Sequence, residues 1–188
     1  MHEVFFLRFA EKKKRIAYAA SLGSNSIPEY NRKKFGKYLA DFHSVSVRED
    51  DAQKLIKSMY NIQVEQVLDP VLLVGKNFWT QIIGNKKLIE CRYIICYFLD
   101  DFREYLDFIK KTAQKIKAKI VVIKTNEEIP QEIINDVTIV TPSPFDFVNM
   151  LFFSEGIITD SFHGTAFSIL FEKVFFVKIG RASCRERV

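Results

Sequence analysis

The sequence predicts an α/β fold made of two domains, each built on a parallel sheet with helices on both faces. Short runs of continuous apolar residues alternate along the chain with amphipathic stretches of about a dozen residues, which is typical of buried parallel strands and their covering helices. The segment 75–90 has little periodicity and several lysine, asparagine and glycine residues, so it predicts an interdomain linker. Two such domains would leave a cleft between them.

Residues 1–74 are predicted to supply the C-terminal part of the first domain. The run 15–22 is apolar and ends at Gly23, which favours a buried strand that leads into a loop. The predicted elements, in order, are a strand at 15–22, a helix at 30–42, a strand at 44–47, a helix capped by Asp50 or Asp51, and a strand at 64–68.

Residues 91–178 are predicted to supply most of the second domain. The predicted elements, in order, are a strand at 93–99, a helix at 101–117, strands at 120–124 and 137–140, a helix at 144–153, a strand at 156–159, a helix at 163–171 and a strand at 174–177. In open sheets of this kind ligands bind at the carboxyl ends of the strands. Side chains that follow a strand are therefore the first candidates for a functional site.

The composition is that of a globular chain. Of 188 residues 48% are hydrophobic, and 18 Phe with 7 Tyr supply enough apolar side chain for a core, which excludes a disordered protein. No window approaches the ~20 apolar residues that cross a bilayer. The first residues lack a signal-peptide pattern, so we expect a cytoplasmic protein.

The last ten residues, 179–188, differ from the rest of the chain. They back-translate without a mismatch into one reading frame of a widely used DNA sequencing adapter, so we exclude them from fold prediction as an artefactual tail. Removing three arginines and one glutamate with this tail lowers the net charge from +5 to +3. We therefore expect a fragment of a longer protein, with both domains incomplete and no turnover by this chain alone.

Two cysteines lie outside the tail, Cys91 and Cys96. Their spacing fits neither a metal site nor a redox CxxC pair. The pattern predicts two buried, reduced thiols on opposite faces of a strand.

The strongest local motif is GIITDSFHGTAFS at 156–168. Asp160 and Ser161 follow a buried strand, and the helix that begins next presents unpaired backbone N–H groups and a partial positive charge. Gly164 would let a ligand approach the backbone closely, and Ser161 and Thr165 would add hydroxyl donors. This arrangement favours a phosphate or carboxylate ligand.

His163 lies in the first turn of that helix. Imidazole can donate a proton and bind phosphate near neutral pH, which makes His163 a candidate general acid. A purely structural interpretation stays open, in which Asp160 or Ser161 caps the helix and His163 is partly exposed.

A second candidate group is SVRE at 46–49, where a short strand ends in Arg48 and Glu49. A guanidinium can bind a carboxylate or phosphate with two parallel hydrogen bonds. A structural Arg48–Glu49 ion pair is the alternative. Asp69 stands before Pro70, where an acidic residue usually ends a strand.

Four motifs together carry a family resemblance: RIAYAASLG at 15–23, SVRE at 46–49, VLDPVLLV at 67–74 and TDSFHGTAFSILF at 159–171. In this order they resemble the polysaccharide pyruvyl transferases, and the resemblance covers 14–177. It implies two Rossmann-like parallel-sheet domains of GT-B type. It also implies transfer of the pyruvyl group of phosphoenolpyruvate to sugar hydroxyls, which forms a ketal, in cell-surface or exopolysaccharide biosynthesis.

The resemblance also suggests roles for the candidate residues. The catalytic candidates are His163 as phosphate ligand or general acid, Arg48 as partner of the donor's negative charge, and Asp160 as base. The substrate-binding candidates are Glu49, which would orient Arg48, together with Ser161, Gly164 and Thr165.

The expected partners are phosphoenolpyruvate and a saccharide acceptor. A lipid-linked acceptor would bring the enzyme to the inner face of the membrane. We expect no metal and no cofactor besides the donor substrate. Nucleic acid is not expected, because the basic residues at 12–15, 32–37 and 110–119 lie opposite apolar positions of helices, as solvated faces do. A GT-B glycosyltransferase that uses a nucleotide sugar and a non-catalytic module that binds carbohydrate or anions stay open as alternatives.

Overall fold

The computed structural model describes residues 3–24, 26–125 and 129–178. The described residues form two compact units, the first ending at Pro70 and the second beginning at Val71. Each unit has its own parallel sheet. The excluded tail, 179–188, lies outside the described residues.

The first unit is a three-stranded parallel sheet in the order β1-β2-β3. Its elements are β1 (Ile16–Ala20), α1 (Glu29–Leu39), β2 (Ser44–Val47), α2 (Asp50–Tyr60) and β3 (Glu65–Gln66), after 3-10 turns at Glu3–Phe6 and Lys12–Lys14. Val47 of β2 packs against Ala52 and Ile56 of α2 in a small core. The alternation of strand and helix that the sequence predicts is confirmed here.

The second unit is a five-stranded parallel sheet in the order β6-β5-β4-β7-β8. Its elements are α3 (Pro70–Leu73), α4 (Gly75–Ile83), β4 (Tyr93–Tyr97), α5 (Leu106–Ile116), β5 (Lys119–Ile123), β6 (Val137–Val140), α6 (Pro144–Phe153), β7 (Gly156–Thr159), α7 (Phe162–Leu170) and β8 (Val174–Val177), with a 3-10 turn at Arg103–Tyr105. No helix among the described residues is long and apolar enough to span a bilayer.

Strand β4 shows why these apolar runs form a buried sheet. Tyr93 and Ile95 pack into one hydrophobic cluster, and Ile94 and Cys96 pack into another on the opposite face. Both faces of the strand are buried, so its sequence does not alternate between polar and apolar residues. The chain adds β5 and β6 on one side of β4 and then β7 and β8 on the other. The carboxyl ends of β4 and β7 therefore form the switch point at which ligands bind in such sheets.

The predicted linker is wrong in its first half. Gly75–Ile83 forms α4, which packs against α6, and the ring of Trp79 lies 5.1 Å from that of Phe167. This helix has only a short apolar stripe. It is not evident from the sequence, because glycines flank the stripe and asparagine and lysine residues interrupt the apolar pattern. The chain divides after Pro70 rather than after Val74.

The two cysteines differ in environment. Cys96 is buried on β4, and burial raises the pKa of its thiol to about 12. Cys91 is exposed, so the prediction of two buried thiols is wrong for this residue. The physical reason is that β4 begins only at Tyr93, which leaves Cys91 in the segment before the strand.

This difference predicts selective thiol labelling. In the chain with Cys184→Ser, a disulfide reagent at mildly alkaline pH should modify Cys91 quickly and Cys96 only after urea unfolds the protein, because the thiolate is the reactive form. Mass spectrometry of the labelled peptides measures both sites. Equal labelling rates for the two thiols in the native protein would contradict the buried position of Cys96.

Candidate functional site

The candidate site in the second unit lies where β7 ends and α7 begins. Thr159, the last residue of β7, is fully buried, and its hydroxyl donates to the carbonyl of Tyr97 at 2.5 Å. The same oxygen accepts the backbone N–H of Ser161 at 3.0 Å. One side chain thus holds together the ends of β4 and β7 and the turn into α7.

Asp160 fixes the neighbouring loop. Its Oδ1 accepts the N–H of Leu99 at 2.7 Å, and its Oδ2 accepts the N–H of Asp100 at 2.9 Å. Both carboxylate oxygens thus hold backbone groups of the loop that follows β4. The geometry therefore favours a positioning role for Asp160, and its role as a base stays a prediction.

Ser161 and Thr165 close the first turn of α7. Ser161 is the N-cap residue, 2% exposed, and its hydroxyl accepts the N–H of Gly164 at 3.5 Å. The hydroxyl of Thr165 donates to the carbonyl of Ser161 at 3.0 Å. Of the two capping residues that the sequence suggested, the structure uses Ser161. Ligand binding by the hydroxyls of Ser161 and Thr165 stays a prediction.

Gly164 is required by packing inside the protein. A Cβ atom at this position would lie 2.5 Å from Oγ1 of Thr159 and 3.0 Å from its Cβ and Cγ2. The missing side chain lets α7 pack directly on β7. This reason differs from the close approach of a ligand that the sequence suggested.

Gly164→Ala should therefore lower the free energy of unfolding by about 1–3 kcal/mol, the usual cost of overpacking. Urea unfolding of the whole chain measures it. In a Thr159→Ala background, which removes the clashing Oγ1 and Cγ2 atoms, the same substitution should cost less. An equal cost in both backgrounds would show that another contact requires the glycine.

His163 is an exposed residue in the first turn of α7, a helix of nine residues. It borders a cavity of about 660 Å³ at the carboxyl edge of the sheet, whose other walls are mainly aromatic and aliphatic. The ring of Phe162 meets the imidazole edge to face at 5.4 Å. An anion near this turn would be stabilised by the partial positive charge of the helix.

The candidate group of the first unit lies at the carboxyl end of β2. The Nε of Arg48 donates to Oε1 of Glu49 at 3.1 Å, and its Nη1 donates to Oδ2 of Asp69 at 3.0 Å. The side chain of Asp69 is only 4% exposed. The ion pair between Arg48 and Glu49 that the sequence suggested is therefore present.

Asp69 as a partner of Arg48 was not predicted from the sequence. The signal was available, because Asp69 follows β3, the parallel neighbour of β2, and parallel strands end at the same edge. Contact between Arg48 and a donor substrate stays a prediction.

Arg48 belongs to the first unit and His163 to the second. Binding of one donor by both residues, which the resemblance suggests, stays a prediction. In the ranges that the structure describes, no group of three or more His, Cys, Asp or Glu side chains could hold a metal ion.

The family model for polysaccharide pyruvyl transferase matches residues 2–178. Comparison with curated proteins gives no significant match.

Two solved structures of variants of the wall teichoic acid polymerase TagF are similar to the chain. One is 14% identical with a TM-score of 0.51 and covers 87% of this chain and 46% of the TagF chain. The other is 13% identical with a TM-score of 0.50 and covers 85% and 45%. The likeness shows the fold alone and confirms the predicted class, α/β with two Rossmann-like parallel sheets of GT-B type. This chain spans about half the length of the TagF chain that it matches.

Proposed function

Because the chain belongs to the polysaccharide pyruvyl transferase family, we propose that the protein transfers the pyruvyl group of phosphoenolpyruvate to hydroxyl groups of a saccharide. The product is a ketal, and the reaction serves the synthesis of a cell-surface polysaccharide or exopolysaccharide. The observation that carries this proposal is the family match across 2–178. The placement of His163 in the first turn of α7, beside a cavity, supports it.

The proposed reaction balances without a cofactor. A proton adds to the methylene carbon of phosphoenolpyruvate, which becomes a methyl group, and a sugar hydroxyl forms a bond to the neighbouring carbon. A second hydroxyl of the acceptor forms the other carbon–oxygen bond as the bond to phosphate breaks. The two hydroxyl protons are accounted for by the new methyl group and by the released phosphate.

The described residues offer two of the groups that this reaction needs. His163 would act as general acid or bind the phosphate, with the first turn of α7 stabilising its negative charge. Arg48, held by Glu49 and Asp69, would bind the negative charge of the donor. Asp160 would act indirectly by fixing the loop at Leu99 and Asp100.

The substrates also suggest where the protein works. A lipid-linked saccharide would bring it to the inner face of the membrane, and phosphoenolpyruvate is a cytoplasmic metabolite. We therefore propose a cytoplasmic location with peripheral membrane association. Fractionation of cells that make the protein tests this proposal. Recovery in the cytoplasmic fraction or on the inner face of the membrane is expected, and recovery outside the cell would contradict it.

Phosphate release tests the proposed reaction. In the intact enzyme, phosphoenolpyruvate should release phosphate only when a saccharide acceptor is present. Release of a nucleoside diphosphate from a nucleotide sugar, with phosphoenolpyruvate left unchanged, would support a glycosyltransferase instead. Saccharide binding without turnover of either donor would support a binding module.

A further inference from the structure

Four aromatic rings form a contiguous cluster beside the cavity in the second unit. Tyr97 lies 5.1 Å from Phe147, Phe147 lies 6.1 Å from Phe167, and Phe167 lies 5.1 Å from Trp79, each pair edge to face. All four residues line the cavity of about 660 Å³ that His163 borders. We call these four residues the aromatic wall.

The aromatic wall is fixed by the fold. Its members come from four different elements, α4, β4, α6 and α7. The indole Nε1 of Trp79 donates to the carbonyl of Val71 at 3.0 Å, and Phe167 is a core residue that is 4% exposed. A ligand in the cavity would thus meet a surface that is already in place, which lowers the entropic cost of binding.

A few polar groups complete the cavity. Lys124 and Thr125 follow β5, Thr141 follows β6, and His163 begins α7. The hydroxyl of Thr125 donates to the carbonyl of Phe98 at 2.9 Å, which fixes the position of this side chain. Walls that are mainly aromatic and aliphatic, with a small number of polar groups, are typical of sites that bind and orient a small molecule.

A pyranose ring fits this composition. One face of the pyranose ring presents C–H bonds, which pack on the electron-rich faces of aromatic rings, while its hydroxyls point outward to polar groups. A prenyl chain would use the aromatic wall but not the four polar groups. The volume of about 660 Å³ is typical of a site for a ligand of drug size and exceeds what three-carbon phosphoenolpyruvate needs.

We infer that this cavity binds a pyranose ring of the saccharide acceptor, packed against the exposed parts of the aromatic wall with its reacting hydroxyls toward His163. The inference rests on the proposed function, because that reaction brings an acceptor beside the general acid. It adds the location of the acceptor ring and the residues that hold it.

Fluorescence tests binding directly. Trp79 is the single tryptophan in the 188 residues, so the emission of the unmodified chain reports on the cavity. Titration with millimolar methyl pyranosides of glucose, galactose, mannose and N-acetylglucosamine should give a saturable change with at least one. No response to any of the four, or a response only to farnesyl phosphate or to UMP, would overturn the inference.

Two exposed phenylalanines provide a matched pair of variants. Phe145 borders the cavity and is 59% exposed, whereas Phe108 on α5 is 42% exposed and does not line it. Phe145→Ser should weaken saccharide binding by about five-fold or more, and Phe108→Ser should not change it. Urea unfolding of both variants checks that they remain folded. Equal effects of the two substitutions on saccharide binding would contradict the inference.

Kinetics separates this inference from the proposed function. In the intact enzyme, Phe145→Ser should raise KM for the acceptor and leave KM for phosphoenolpyruvate unchanged. Pyruvyl transfer with an unchanged acceptor KM in this variant would overturn the inference and leave the proposed function standing. A saccharide-dependent change in Trp79 emission, with no pyruvyl transfer by the intact enzyme, would overturn the proposed function. Saccharide binding in the cavity would then still stand.

Discussion

Replacing His163 with alanine should lower pyruvyl transfer in the intact enzyme by about 100-fold or more. That is the usual loss when a positioned general acid is removed. The structure supports the role because His163 is exposed in the first turn of α7 and borders the cavity. The initial rate of acceptor-dependent phosphate release measures the effect.

Two further variants make this result specific. His163→Gln keeps a hydrogen-bonding side chain of similar size but cannot act as an acid, so it should lose nearly as much activity. His43→Ala removes another exposed histidine, just before β2, and should stay within about two-fold of the parent. Activity of His163→Ala within a few-fold of the parent would exclude His163 from the mechanism.

Replacing Arg48 with alanine should lower kcat/KM for phosphoenolpyruvate by roughly 10- to 100-fold. A hydrogen bond to a charged group contributes about 1.5–3 kcal/mol, which corresponds to a factor of that size. Titration of the donor at saturating acceptor measures the change. Arg92→Ala, which removes an arginine whose structural partner is Glu155, should leave kcat/KM unchanged.

The partners of Arg48 allow a sharper test of its role. Asp69→Asn keeps the shape of the side chain but removes the charge that fixes Nη1, so it should lower kcat/KM in the same direction by a smaller factor. The structural alternative predicts a different result. Arg48→Ala would then lower the free energy of unfolding and leave kcat/KM of the folded enzyme unchanged.

Much of the second unit was predictable because its hydrophobic signal is strong. The bounds of β6, α6, β7 and β8 agree with the sequence prediction, and α7 begins one residue earlier than predicted. Strands β7 and β8, for example, are short, mainly apolar runs between polar residues. Helix α4 was missed because its glycine, asparagine and lysine residues interrupt the apolar pattern, although Trp79 buries part of its ring against Phe167.

The contacts within the site were harder to predict from the sequence. Arg48 and Asp69 are 21 positions apart, and Asp160 bonds to backbone groups about 60 positions away, so both contacts depend on the order of strands in the sheets. Gly164 shows a different difficulty. The sequence alone does not tell whether a glycine is required by packing or by a bound ligand. The structure shows that Gly164 is required by packing on Thr159.

The reaction itself can be observed with phosphoenolpyruvate that carries carbon-13 at its second carbon. We predict that the intact enzyme converts this carbon into a ketal carbon bonded to two oxygens of the saccharide, with one phosphate released for each ketal, as carbon-13 and phosphorus-31 NMR would show. Labelled phosphoenolpyruvate that stays unchanged beside an acceptor, while the enzyme transfers a sugar from a nucleotide sugar to it, would contradict pyruvyl transfer.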